Sequence, residues 1–153
     1  MEYIERELAK ICSRVLPMWS ASTVLFSKIN PRIPRAFVMP DLCRKTFCSS
    51  EFEVMSTKTG VDPYLIAFLL LSAPVHSQIK SLTSGTSASH NRIKTDDLAK
   101  VLLPIPKAGT EYEGEIWALI RDYRKTIEAL VRHTLKLSDI RDKEEKLSIN
   151  NRP

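Results

Sequence analysis

Two short stretches of this 153-residue chain carry the residue types of a loop that holds an amino group for methyl transfer. Asn30-Pro31-Arg32 and Asp62-Pro63-Tyr64 each set a polar side-chain oxygen before a proline, but both lack the second proline of such a loop. The chemistry also needs a glycine-rich cofactor loop, and four glycines in all leave none to form it. Pro40 and Asp41, with Glu51 and Glu53 downstream, approach the spacing of a Mg-dependent nuclease, in which carboxylates hold the metal and a lysine assists the attacking water. Glu53 stands where that lysine belongs and Lys58 is displaced, so the pattern favours two solvent-facing strand carboxylates over a nuclease. Cys12, Cys43 and Cys48 form no CxxC pair, and His76, His90 and His133 are not spaced to complete a zinc site. They read as ordinary thiols in a reducing compartment. No strand-turn-helix elbow surrounds a serine. The expectation is a non-catalytic chain that needs no cofactor and no metal.

What remains is charge. The formal net charge of +5 is unevenly spread: residues 1–50 carry eight Lys/Arg against four Asp/Glu, whereas residues 51–106 balance at five each and residues 107–153 hold ten against nine. Lys28, Arg32, Arg35, Arg44 and Lys45 lie together in sequence with Asp41 as the one acid among them. A basic surface of this kind suits phosphate contacts, although solvated basic faces also occur on proteins that bind no nucleic acid. The polar loop from Thr83 to Arg92, including Ser84, Thr86, Ser87, His90 and Asn91, offers hydroxyls and backbone N–H groups to an anion, or is a plain solvated loop.

The elements that must position these residues are legible from periodicity. Ile4, Leu8, Ile11 and Val15 draw an apolar stripe, predicting an N-terminal helix over 1–17 that Pro17 stops. Thr23 to Phe26, Ala36 to Met39 and Phe52 to Met55 read as strands around the Asn30 to Pro34 turn. Asp62 and Pro63 start a helix apolar on all sides, the centre of the core, which Pro74 ends or kinks before Val75, Ile79 and Leu82 continue. Thr95, Asp96 and Asp97 cap a brief helix, and Val101 to Ile105 reads as a buried strand or extended stretch interrupted by Pro104 and Pro106.

Pro106 to Gly109 is the clearest internal boundary. Beyond it Thr110 and Glu113 match a capping box, and Ile116, Ile120, Tyr123, Ile127, Leu130, Thr134 and Leu137 recur at alternating four and three residues. This predicts a long coiled-coil-like helix over 110–137, either folded on its own domain or reaching another helix or subunit. Residues 138–153 lose the pattern and are expected to be a disordered charged tail. No run is apolar enough for a membrane span and the start is too acidic for a secretory signal, so a soluble, cytoplasmic protein is expected.

Read in order, Thr23-Val24-Leu25-Phe26-Ser27-Lys28-Ile29-Asn30-Pro31, Cys48-Ser49-Ser50-Glu51-Phe52-Glu53-Val54, Gly60-Val61-Asp62-Pro63-Tyr64-Leu65, the Ser84-Gly85-Thr86-Ser87 loop leading to Arg92-Ile93, and Asp97-Leu98 followed by Leu103-Pro104-Ile105-Pro106 resemble successive signatures of one family. That family is the specificity subunit of Type I restriction-modification enzymes, and the resemblance covers roughly residues 20–135. It implies an α+β target-recognition domain over 1–106, a small mixed sheet packed with helices, then a spacer helix over 110–137. It further implies binding to double-stranded DNA, a methyltransferase subunit and a restriction subunit as partners, or a homodimer through the C-terminal helix. Family members usually carry two recognition domains; this chain shows one and no internal repeat. It is expected to be a half-subunit or a remnant, with a non-catalytic protein-interaction module as the alternative.

Overall fold

The computed structural model describes residues 2–8, 12–14, 23–39, 48–83 and 91–150. Among them six strands and four helices follow in the order β1 (Tyr3–Glu7), β2 (Cys12–Arg14), β3 (Thr23–Ser27), β4 (Ala36–Val38), β5 (Phe52–Thr57), α1 (Pro63–Leu70), α2 (Ala73–Leu82), α3 (Thr95–Leu98), β6 (Leu102–Pro106) and α4 (Glu111–Asn150). The architecture is α+β, as the sequence predicts, but the sheet is not mixed. Strands β2-β5-β3-β4 form one sheet and β1-β6 a separate ribbon, and every pairing between described strands is antiparallel.

β3 is the central strand, and all five of its residues are buried. Alternation sorts its side chains. Val24 and Phe26, with Ala36 and Val38 of β4 and Met55 of β5, face the core, while Leu25 points to the other face beside Phe37 and Val54. Helix α1 covers the core face. Asp62 caps it as predicted, its Oδ1 accepting the Tyr64 N–H at 2.8 Å with Pro63 in the first turn, and Leu65, Ile66, Ala67, Leu69 and Leu70 are buried. The helix packs on β3, β4, β6 and α4, which is why it can be apolar nearly all round. Pro74 falls in the first turn of a new helix, α2, whose Val75 and Ile79 complete the core. No single described helix is long and apolar enough to cross a membrane; α1 and α2 together would be, but they bend by 66° at their break.

Gln78 of α2 closes the free edge of β6. Its Nε2 donates to the Leu102 carbonyl at 2.9 Å and its Oε1 accepts the Leu102 N–H at 2.8 Å, so one carboxamide replaces a neighbouring strand.

The N-terminal segment departs from expectation. Tyr3–Glu7 is a strand paired with β6, and Cys12–Arg14 a strand paired with β5, where a helix over 1–17 was predicted. A helix needs a partner for its whole apolar stripe, and of that stripe Leu8 is buried whereas Ile4 is exposed. Pairing with β6 engages the backbone of Glu2, Ile4, Arg6 and Leu8 instead, which overrides a stripe of few residues. Ile11 and Val15 lie outside the described residues.

The C-terminal helix begins at its predicted capping box. The Thr110 Oγ1 accepts the Glu113 N–H at 3.2 Å, and the Glu113 carboxylate reaches back to the N–H of Gly109 at 2.7 Å. Gly109 has φ of +80°, the left-handed conformation that turns the chain from β6 into the helix. Helix α4 then continues to Asn150, through the segment expected to be a disordered tail. Its composition explains this: residues 138–147 include two Lys and two Glu, both good helix formers, and Asp139 and Asp142 precede Lys143 and Lys146 by four, the favourable orientation for helical charge pairs.

Candidate nucleic-acid interface

The basic turn is built where β3 runs past its sheet. After Ser27 the chain exchanges neighbours: the Lys28 N–H donates to Glu51 O at 2.8 Å, the Asn30 N–H to Asn91 O at 2.8 Å, and the Ile93 N–H to Lys28 O at 3.1 Å. Ile29 and Arg92 thereby form an antiparallel bridge. This bridge joins the turn at residues 28–35 to the last residues of the polar loop, two stretches about sixty positions apart in sequence. Asn30 has φ of +53°, a conformation asparagine tolerates better than most residues, and its Oδ1 accepts from Arg32 Nε at 3.0 Å. The His76 ring Nε2 lies 3.1 Å from the Pro31 carbonyl oxygen and ties the turn to α2.

The candidate cations divide by the company they keep. Arg32, Arg35 and Arg92 are exposed, whereas Lys28 is half-buried. Strand register puts Lys28 diagonally across from Glu53, and its Nζ lies 3.3 Å from the Glu53 carboxylate. Glu53 is 5% exposed on the core face and also accepts from Thr95 Oγ1 at 2.6 Å. Lys28 is therefore a structural counter-ion more than a surface cation. Arg92 pairs with Glu51 at 2.8 Å on the exposed rim. Arg35 folds back, donating from Nη2 to Ser27 Oγ at 2.9 Å and to Ile29 O at 3.0 Å, which stiffens the turn while leaving its other donors in solvent. Asn91 adds a buried side-chain oxygen, Oδ1, with no hydrogen-bond partner among the described residues.

Arg44, Lys45, Ser84, Thr86, Ser87 and His90 lie outside the described residues, as does Asp41. Glu51 and Glu53, the other carboxylates at nuclease-like spacing, are joined to Arg92 and Lys28 respectively. Sequence reasoning overlooked the partners: Glu53, Thr95, Asn30 and His76 organise the turn. The left-handed Asn30 before Pro31 had a local signal in its residue types, whereas the Glu53 contact is set by strand register and has none.

The predicted helical seam has two fates along α4. Ile116 and Ile120 are buried in the domain core, and Tyr123 packs edge-on against Tyr64 and Phe68 with ring centroids 6.3 Å apart. Arg124 pairs with Asp62 and lies over the Tyr64 ring at 4.5 Å, and the Tyr64 hydroxyl reaches Glu128 at 3.5 Å. Burial raises the pKa of both phenols, that of Tyr64 further through the Glu128 charge. Ile127 is half-buried, while Leu130 and Leu137 are 61% and 66% exposed. The helix as far as Glu128 belongs to the domain, and the remainder projects as an arm with Leu130, Leu137, Ile140 and Leu147 in solvent.

Comparison with protein-family models and with curated proteins finds no match to this chain.

Proposed function

We propose that the chain is a non-catalytic DNA-recognition component of a Type I restriction-modification assembly, with one target-recognition domain and a helical arm. In this reading Arg32, Arg35 and Arg92 meet the phosphates of double-stranded DNA. The arm beyond Ile127 docks a methyltransferase subunit. One observation carries the reading: the Ile29–Arg92 bridge unites the basic turn with the end of the polar loop on a single rim. Lys28, Arg32, Arg35 and Arg92 against Glu51 and Glu53 leave that rim positively charged. Phosphate contacts of this kind position a duplex, and neighbouring polar groups read it.

A second reading is favoured by the exposed leucines of the arm and by the internal partners of Lys28 and Arg92. There the chain is a protein-interaction module that joins or regulates another complex and no longer binds DNA productively. Binding to duplex DNA over a range of salt concentrations separates the two. Recognition predicts affinity that falls steeply with salt. No binding at low salt, with the chain alone and with a methyltransferase subunit, leaves the interaction module.

A further inference from the structure

The register of β1 on β6 sorts their backbone groups into two sets. The Leu8 N–H donates to Val101 O at 2.9 Å and the Lys107 N–H to Glu2 O at 3.2 Å. The hydrogen-bonded pairs are therefore Glu2–Lys107, Ile4–Ile105, Arg6–Leu103 and Leu8–Val101. Tyr3–Pro106, Glu5–Pro104 and Glu7–Leu102 alternate with them and turn their N–H and C=O groups away from the ribbon. On β6 those outward positions are closed. Pro104 and Pro106 have no N–H to offer, and the Gln78 carboxamide holds both groups of Leu102. On β1 no described residue bonds the outward groups of Tyr3 and Glu5, and every residue from Glu2 to Arg6 is exposed. One edge of the ribbon is sealed three ways and the other is open.

We infer that the open edge pairs with the same edge of a second copy of this chain, β1 running antiparallel to β1. The side chains choose both occupant and register. Placing Tyr3 opposite Glu5 of the second copy engages the outward N–H and C=O of both residues. It sets Ile4 against Ile4 on the two-fold axis and Glu2, whose carboxylate also meets Lys107 of its own chain at 2.9 Å, against Arg6 on either side, in the closely spaced pairs where side chains interact most strongly. The register centred on Glu5 would oppose two like charges. Ile4, 45% exposed, shares a face with buried Leu103 and Leu8, so the second ribbon continues an apolar surface already begun. The strand thus carries its own complement in charge and shape, independently of any DNA binding or of pairing through α4.

Sedimentation velocity of the full chain across a concentration series tests the inference. The expected result is a reversible dimer. Glu5→Pro removes one outward N–H while sparing the β1–β6 bonds, and should raise the dimer dissociation constant about tenfold or more with unchanged circular dichroism. Arg6→Glu should weaken the dimer comparably, and Glu2→Arg added to it should restore pairing. This charge cycle decides the matter if the proline variant fails to fold. A monomer at every concentration overturns the inference, as does a dimer indifferent to these changes and abolished by Leu137→Asp.

Discussion

Arg124 grips the same carboxylate that caps helix α1: Asp62 Oδ1 accepts the Tyr64 N–H at 2.8 Å while Oδ2 pairs with Arg124. One side chain thus starts a core helix and holds the arm against it. Asp62→Ala should cost about 1–2 kcal/mol, mostly through the lost cap, and Arg124→Ala about 0.5–1 kcal/mol because the pair is partly exposed. Urea denaturation of the single and double variants checks this, and the two losses should not add.

Gln78 serves as a surrogate strand for Leu102. Gln78→Ala strands both backbone groups of that residue at a covered edge, with an expected loss of about 1–3 kcal/mol. Amide hydrogen exchange provides the sharper reading: the Leu102 N–H should become markedly faster, while that of Leu103, bonded toward β1, should change far less.

The division of α4 predicts opposite outcomes from similar truncations. Ile120, 1% exposed, lies in the core, so Ile120→Ala should lower stability by about 2–5 kcal/mol. Leu137→Ala should fall within about 0.5 kcal/mol for the isolated chain. If Leu137 docks a subunit, the same substitution weakens that complex without touching the fold, which titration calorimetry with the partner would show.

Alkaline pH should loosen the clasp at the root of the arm. Tyr64 and Tyr123 have phenols raised above the ordinary value near 10.0 by burial. The folded chain therefore holds their protons when the unfolded chain has released them. Stability from these groups is complete below pH 10 and declines as pH rises from there through the folded values. The urea midpoint should fall between pH 9 and pH 11, and Tyr123→Phe should flatten that decline.

Among the cations of the rim, exposure predicts role. If the rim meets duplex DNA as proposed, Arg32→Ala and Arg92→Ala should each weaken that binding for all sequences and lower the salt slope by about one. Lys28→Ala should act on stability first, because it removes a counter-ion 3.3 Å from the buried Glu53 carboxylate. Fluorescence anisotropy over a salt series, beside thermal unfolding, distinguishes these effects.

Local signals carried far in this sequence, and long-range ones did not. Asp62-Pro63 and the Thr110–Glu113 box specify helix starts through atoms within four residues of each other, and both helices begin there. The strands at Thr23, Ala36 and Phe52 follow from β-branched and aromatic residues bounded by turns. The N-terminal strand was hidden because Ile4 and Leu8 fit a helical stripe, and only the distant Leu102–Pro106 segment makes a strand the better solution. The basic turn showed the same divide. Its cations were visible, but the Glu53 and Glu51 carboxylates that engage Lys28 and Arg92 come from another strand, and register across a sheet has no signature in adjacent residues.

A helix of 40 residues has mechanical meaning. At about 1.5 Å per residue it extends roughly 60 Å, and the span beyond Glu128 accounts for about half of that. With its fulcrum at Tyr123 and Arg124, it works as a lever. A tilt of about 10° at the root would sweep the tip through roughly 7 Å, more than the pitch of one helical turn. Small rearrangements around Asp62 would therefore arrive at the far end of the arm magnified, where a docked subunit could register them as a change of position.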